Sequence, residues 1–556
     1  MTDHPRKDEG FEDQRRAFLK LLGVAGAGSL AGCGGGGPAA TTDGDGGTDG
    51  EADGGAGDGG MDGDGDGTDG GAGDTDGAGG DGTDGETAAA GGDVEQFFAD
   101  AAADYEGQTI TLVTESTPPS LWYQNNQVSN FEDITGISVD FQAVSFTEMS
   151  NRIVSNATSG QAGLDIAYTE QDSLAAYAAN EWLIDHTAFG EENSDLSWPG
   201  FDVDDFVPFA ENFRYPDADS PYYAFPMESF LKVVIYRQDV YENEEMASAY
   251  QDEHGEEFTV PENPDQYMRA AQFISENSGD ILDQQLAGHA AQVQGVTGPY
   301  AMVETYFPIH GVYNWGINQD DMTALASRNG TMNSDAAIEA FQWYRDLLDY
   351  APDGVQSYTW SGPPDAIIAG DAAQGTVYSE NLGNMVGGDD LAYDPSDLGV
   401  ALPPVREGVV EDAESGEGYV GYFDGGGYGV MQASQRKEPA YLFLQWLLRP
   451  EAQSGLAEEV GAITRNSAIE AARGTQINEA TGYVDFFEEY NDLFQGNPNG
   501  RVQQVLINQV FQSPFQEFVA GNISAEQCAN RWAYNTEQTL VELGFLDQSG
   551  EQPSPM

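Results

Sequence analysis

From residue 93 onward, apolar positions recur in short stretches that alternate between two periods. Residues 93–104 carry them at helical spacing, and residues 108–114, Q-T-I-T-L-V-T, form a short β-rich run. A helical stretch around Phe131 and Ile134 leads into a second run at 136–141, and a plausible helix at 149–159 leads into a third at 164–168. Strand, helix and strand at this spacing predict βαβ units and a parallel sheet. Further along, 334–350, 438–448 and 450–460 hold apolar residues at i, i+3 and i+4, which predicts three amphipathic helices.

No period of 20–50 residues repeats along the chain, which argues against solenoids and propellers. The stretch 93–556 is too long for a single core and is expected to form two domains of an α/β fold. No run of 18 apolar residues occurs, so no transmembrane helix is expected.

Charge changes this picture more than any other property. The chain has 95 acidic and 20 basic residues among 556, a formal net charge of −75, and only four lysines: Lys7, Lys20, Lys232 and Lys437. Acids and bases cancel within residues 1–33, whereas residues 34–92 hold fifteen acids and no base. The remaining body carries about −60 of its own, so acidity belongs to the folded part too. Such a surface repels nucleic acid and anionic membranes, and no nucleic-acid partner is expected. Aromatic content of 11% rules out a disordered body, leaving a folded protein with a salt-adapted surface.

The N-terminus has its own chemistry. Arg15 and Arg16 are followed by Ala17, Phe18, Leu19 and Lys20, then a short Gly/Ala-rich apolar stretch ending Leu30, Ala31, Gly32, Cys33. A charged region, a short apolar region and small residues before a cut describe an export signal, not a span. The arginine pair resembles a twin-arginine signal, and L-A-G-C resembles a lipobox whose cysteine becomes the lipid-modified first residue. Residues 1–33 are therefore expected to be a signal peptide, with a lipid anchor at Cys33 holding the protein on the outer face of the membrane. Residues 34–92, almost wholly Gly, Asp, Ala and Thr, are expected to be a disordered tether spanning on the order of 45 Å. Within it, 62–67 superficially resembles the start of a calcium loop, but position twelve is Gly73 and no helix is predicted on either side.

Two cysteines and five histidines leave no ligand cluster for zinc, haem or iron–sulfur chemistry, and neither a metal nor a cofactor is assigned. Cys528 is expected to be a small core residue of a helix.

Along the body, several pieces occur in an order that resembles the extracellular solute-binding proteins of family 1, the substrate receptors of ABC importers. Residues 131–139, F-E-D-I-T-G-I-S-V, resemble the family's F-E-x-x-T-G-I-x-V. Gly160 with Leu164, Asp165 and Ile166 resembles G-x-x-P-D-I, with leucine in place of proline. Residues 182–185 resemble its G-x-L-x-D without the glycine, and 223–226 with Ile235 and Tyr236 resemble its crossing between lobes. Residues 369–376 resemble F-x-x-G-x-A-A-M without the methionine, and 425–429, 440–453 and 518–526 continue the series. The stretch 351–360, ending in Trp360, resembles the P-x-G-x-x-x-Y-x-W segment of sugar- and polyol-binding members. The resemblance implies a two-lobed periplasmic-binding-protein-like fold over 93–556, with interleaved lobes, a hinge, an interlobe cleft and a first crossover near 224–228. It also implies delivery of a small solute to a membrane ABC permease.

In parallel sheets, ligand lies beyond the carboxyl ends of the strands. The loops there contain Glu115 and Trp122, then Tyr168, Glu170 and Asp172, then Glu228, then Tyr378, Glu380 and Asn381, then Asp424 and Tyr428. With Trp360, these are the candidate ligand-binding residues. Each loop sets an aromatic beside a carboxylate or amide, the mixture that suits a sugar: rings stack on C–H faces while polar oxygens and amides pair with hydroxyls. Tyr168, Tyr378 and Trp360 are equally compatible with core packing, and any one acid with solvated surface. A run of three glycines at 425–427 reads either as a plain turn or as backbone open to close approach.

A sugar or polyol receptor is the favoured reading. A receptor for a polyamine, a peptide or ferric iron is the alternative, and a secreted glycoside hydrolase the more remote one. The hydrolase requires two carboxylates across a cleft, and acids are too abundant here for their spacing to say anything. No G-x-S-x-G, HExxH, P-loop or Cys–His nucleophile pattern occurs, so no catalytic residue is assigned.

Overall fold

A computed structural model describes residues 87–388, 390–498 and 500–556. The segment expected to be a signal peptide, Cys33, the calcium-loop-like segment and most of the stretch expected to be a tether lie outside the described residues. The first helix, Thr87–Ala102, starts inside the stretch expected to be tether.

β1 (Thr109–Glu115), β2 (Ser138–Val144) and β3 (Ile166–Glu170) are parallel, with Thr109 opposite Ser138 and Leu112 opposite Ile166. The connections are helical, as the alternating pattern predicts. Pro118–Asn126 and Val128–Thr135 join β1 to β2, and Phe146–Ser159 joins β2 to β3. Local chemistry sets these boundaries. Thr117 accepts a hydrogen bond from the Ser120 amide at one helix start, and Gly136, at φ 67°, ends the next. Phe131 and Ile137 on either side of that glycine are fully buried, Phe131 against Phe443 and Trp446. The F-E-D-I-T-G-I segment is thus one helix–turn–strand corner pinned by its two apolar residues.

β4 (Phe225–Pro226) and β9 (Gly426–Val430) complete this first sheet, in the order β2-β1-β3-β9-β4, with β9 antiparallel to both β3 and β4. The second lobe is built around β5 (Phe230–Arg237), whose run F-L-K-V-V-I-Y-R is buried at every position but Tyr236. Antiparallel β6 (Gln374–Tyr378) flanks it on one side. β7 (Leu398–Ala401) and β8 (Gly421–Asp424) share the other side, and β10 (Phe494–Gln495) runs parallel to β8.

Two short segments carry the chain between lobes: residues 227–229 from β4 to β5, and Gly425 from β8 to β9. They are bonded to each other, the amides of Met227 and Glu228 donating to the Gly426 carbonyl at 2.9 and 3.3 Å. Gly425 sits at φ 145°, and a Cβ there would lie 2.2 Å from the Glu228 carbonyl oxygen. Only glycine fits this crossing. A third passage follows the helix Pro450–Glu459, where Ser229 Oγ donates to the Ile463 carbonyl. The terminal helix Ala525–Glu542 opens on a capping box of Ser524 and Gln527 and buries Cys528 completely, which pushes its thiol well above the ordinary range.

Candidate functional site

Between the lobes lies a cavity of about 130 Å³ with walls from both. Its geometry follows from where strands stop. Glu115, Glu170, Tyr378 and Asp424 are the last residues of β1, β3, β6 and β8, so the two sheets aim their carboxyl ends at one space. Helix starts and short turns just beyond supply Asp172, Glu380 and Asn381.

Nine of the twelve residues proposed from the sequence line this cavity: Glu115, Tyr168, Glu170, Asp172, Trp360, Tyr378, Glu380, Asn381 and Asp424. Trp360 is half-buried, with ring centroids of Tyr300, Tyr378 and Phe146 at 5.6, 6.0 and 6.1 Å, so it both lines the space and packs. Three residues lie elsewhere. Trp122 turns into the first lobe against Tyr123 and Gly455, because position five of its helix faces the core rather than the cleft. Tyr428 is buried behind Tyr168, donating to Thr114 Oγ1 at 3.1 Å. Glu228 lies within the crossing segment beneath the cavity, accepting from Tyr168 Oη and from Thr117 Oγ1 at 3.1 Å.

The lobes also bring in residues that loop position does not single out: Phe146, Phe230, Tyr300, Glu304, Tyr422 and Asn497. Two charged groups had a signal in the pattern. Glu304 is a lone acid in the apolar helical stretch 300–309, where Met302–Tyr306 is a π-helical turn. Lys232 is a base set inside the apolar run of β5, which ends on Arg237. They pair at 3.1 Å, and Lys232 Nζ also donates to Gln292 Oε1 at 3.1 Å and Tyr378 Oη at 3.0 Å. The aromatic residues had no such mark, since each stands among many like it.

The cleft is shut. Tyr300 of the second lobe donates to Asp172 Oδ2 of the first at 2.6 Å, and Phe146 meets Tyr300 edge-on at 6.2 Å. Closure desolvates every acid around it. Burial, and then the neighbouring Glu228 charge, push Glu115 up to about 8. Burial pushes Glu228 up to about 7 against the opposing pull of its Tyr168 and Thr117 hydrogen bonds. Glu170, Glu380 and Asp424 are raised well above the carboxylate range by burial first and by neighbouring acids second. Asp172 and Glu304 are raised by burial, and Lys232 is lowered by it. Among the described residues, no group of three or more acids, histidines or cysteines is arranged to hold a metal ion. The acids surround a volume instead of converging on a point.

The family described as bacterial extracellular solute-binding protein matches residues 114–454. No curated protein matches. Among solved structures, an ABC transporter solute-binding protein of Agrobacterium radiobacter K84 in complex with ribitol is 17% identical, with TM-score 0.62, covering 78% of this chain and 99% of that one. Maltose-bound MalE3 of T. maritima is 16% identical at TM-score 0.62, covering 78% and 100%. A solute-binding protein of Agrobacterium vitis S4 with bound D-mannitol is 15% identical at TM-score 0.63, covering 79% and 99%. At such identities the likeness speaks for the fold: two α/β lobes around a central cleft, as in those proteins.

Proposed function

The chain belongs to the bacterial extracellular solute-binding proteins, and from that premise we propose that it captures a sugar or polyol between its lobes and delivers it to a membrane ABC permease without changing it chemically. One observation carries the reading: a cavity at the hinge, walled by strand ends of both lobes and lined by aromatic rings beside acids and amides. A solute seated there touches both lobes only when they are shut, so binding favours closure. The neighbours with ribitol, D-mannitol and maltose support a polyhydroxylated solute. The twin-arginine-like start and Cys33 support export followed by lipid anchoring, with the Gly/Asp-rich segment spacing the receptor from the membrane.

A thermal-shift panel of monosaccharides, disaccharides and polyols in molar salt tests the solute. A ligand at a hundred times its dissociation constant adds about 2.7 kcal/mol to stability. A shift with one sugar or polyol, recovered unchanged after incubation, is the expected result; turnover of the compound would mark an enzyme instead. For the anchor, Cys33→Ser in the native host is expected to move the protein from the membrane fraction to the medium. Retention of that variant on the membrane would remove Cys33 as the attachment point.

A further inference from the structure

We propose that the solute carries a protonated amine, as an amino sugar or amino polyol of about monosaccharide size. This rests on the reading that the interlobe cavity is the solute site. Six carboxyl groups line the space (Glu115, Glu170, Asp172, Glu304, Glu380 and Asp424), and among the described residues no lysine, arginine or histidine lines it. Lys232, beside the cavity, is already committed to Glu304, Gln292 and Tyr378. A neutral sugar needs acceptors, but one or two carboxylates and amides provide them; Asp172 and Glu304 are offset by Tyr300 and Lys232, whereas a further buried acid without a partner costs desolvation.

Glu380 singles out the missing partner. It is 7% exposed, faces the cavity, and its Oε2 is buried without a hydrogen-bond partner. An acceptor left alone in such a place is costly unless a donor arrives with the ligand. The rings around it suit the same group. Tyr168, Phe230, Tyr300, Trp360, Tyr378 and Tyr422 all line the space, and a cation is attracted to aromatic rings. The acids are spread around the wall and not gathered into a coordination shell, so an organic cation fits better than a bare metal ion. A volume of about 130 Å³ is on the scale of one small ring or a short polyol.

Calorimetric titration of the purified protein in molar salt at neutral pH decides this with matched pairs. The probes are D-glucosamine against D-glucose, D-galactosamine against D-galactose, and 1-amino-1-deoxy-D-glucitol against D-glucitol, with N-acetyl-D-glucosamine as the uncharged amide and putrescine as an amine without hydroxyls. The expected result is that at least one amine binds about 100-fold tighter than its neutral partner. Glu380→Gln should remove most of that ratio while leaving the melting transition cooperative; Asp424→Asn serves the same purpose if the first variant fails to fold. Neutral sugars binding as tightly as their amines would overturn the amine and leave the sugar receptor intact. Putrescine binding alone would overturn the hydroxylated solute and, with it, the sugar reading above. Silence from the whole panel would overturn both.

Discussion

Asp165 shows how much a single side chain can hold without touching ligand. Its fully buried carboxylate accepts from the Thr111 amide at 2.9 Å, from Ser434 Oγ at 2.6 Å and from Arg436 Nη2 at 2.8 Å, tying β1 to the turn after β9. The L-D-I motif at 164–166 is therefore a strut of the first lobe. Asp165→Ala leaves buried donors without an acceptor, and a loss of about 3 kcal/mol is expected in chemical denaturation. Solute affinity should stay within twofold of the parent, because Asp165 does not line the cavity; a large affinity loss would place it in the site. Motif position marked this residue but not its job. The same holds for Trp122 and Tyr428, which share a loop with site residues yet face the opposite side of the backbone, a distinction set by a helix face or a strand pleat.

At the scale of elements, the βαβ units were legible because period and punctuation agree there. The strands expected at 108–114, 136–141 and 164–168 are found displaced by one to three residues toward the C-terminus. The helix expected at 334–350 is found as Asp335–Leu347 followed by a 3₁₀ turn, with Ser334 as its cap. The glycine run 425–427 had two readings, a turn or a backbone open to close approach, and the close approach found there is to the chain's own Glu228 and Tyr168. It is the crossing between lobes, where Gly425 passes the Glu228 carbonyl and Gly426 lies against the Tyr168 ring, a Cβ there falling about 2 Å from it. Gly425→Ala is expected to cost on the order of 2 kcal/mol from its backbone angle and the collision together. Small-angle scattering should show that variant failing to reach the compact closed form on adding ligand. A variant that closes normally would show that the crossing bends elsewhere.

For the whole molecule, the acids gathered by closure make the hinge sensitive to pH. Glu115 at about 8 and Glu228 at about 7, both above the ordinary 4.5, hold protons in the closed form that they lose when hydrated by opening. Glu170, Asp172, Glu304, Glu380 and Asp424 are displaced in the same direction, and only Lys232 opposes them. The closed form therefore binds more protons than the open one. Its advantage is fully present below about 4.5 and is lost as pH rises through 7 and 8. Without ligand, the radius of gyration is expected to grow between pH 5 and pH 9, and Glu115→Gln should flatten part of that rise. A radius independent of pH would mean that the acids stay hydrated in the closed state. A cationic solute supplies the missing counter-charge and should hold the lobes shut at pH 9.

Residue order alone was enough to set the surface, the class of fold and the sequence of its parts. Charge, period and capping are properties of neighbours along the chain, and F-E-D-I-T-G-I-S-V folds its corner from its own residues. It also placed nine residues around one cavity, because strand ends in such sheets face a common space. The tertiary structure alone decided which of 75 acids in the body share that space. It took Phe146, the helical turn of Tyr300 and Glu304, and Tyr422 from separate segments and set them together, and it sent Trp122 away. The reason is physical: a site between two lobes is made by the crossing of distant strands and the closing of a hinge, and neither leaves a period in the chain.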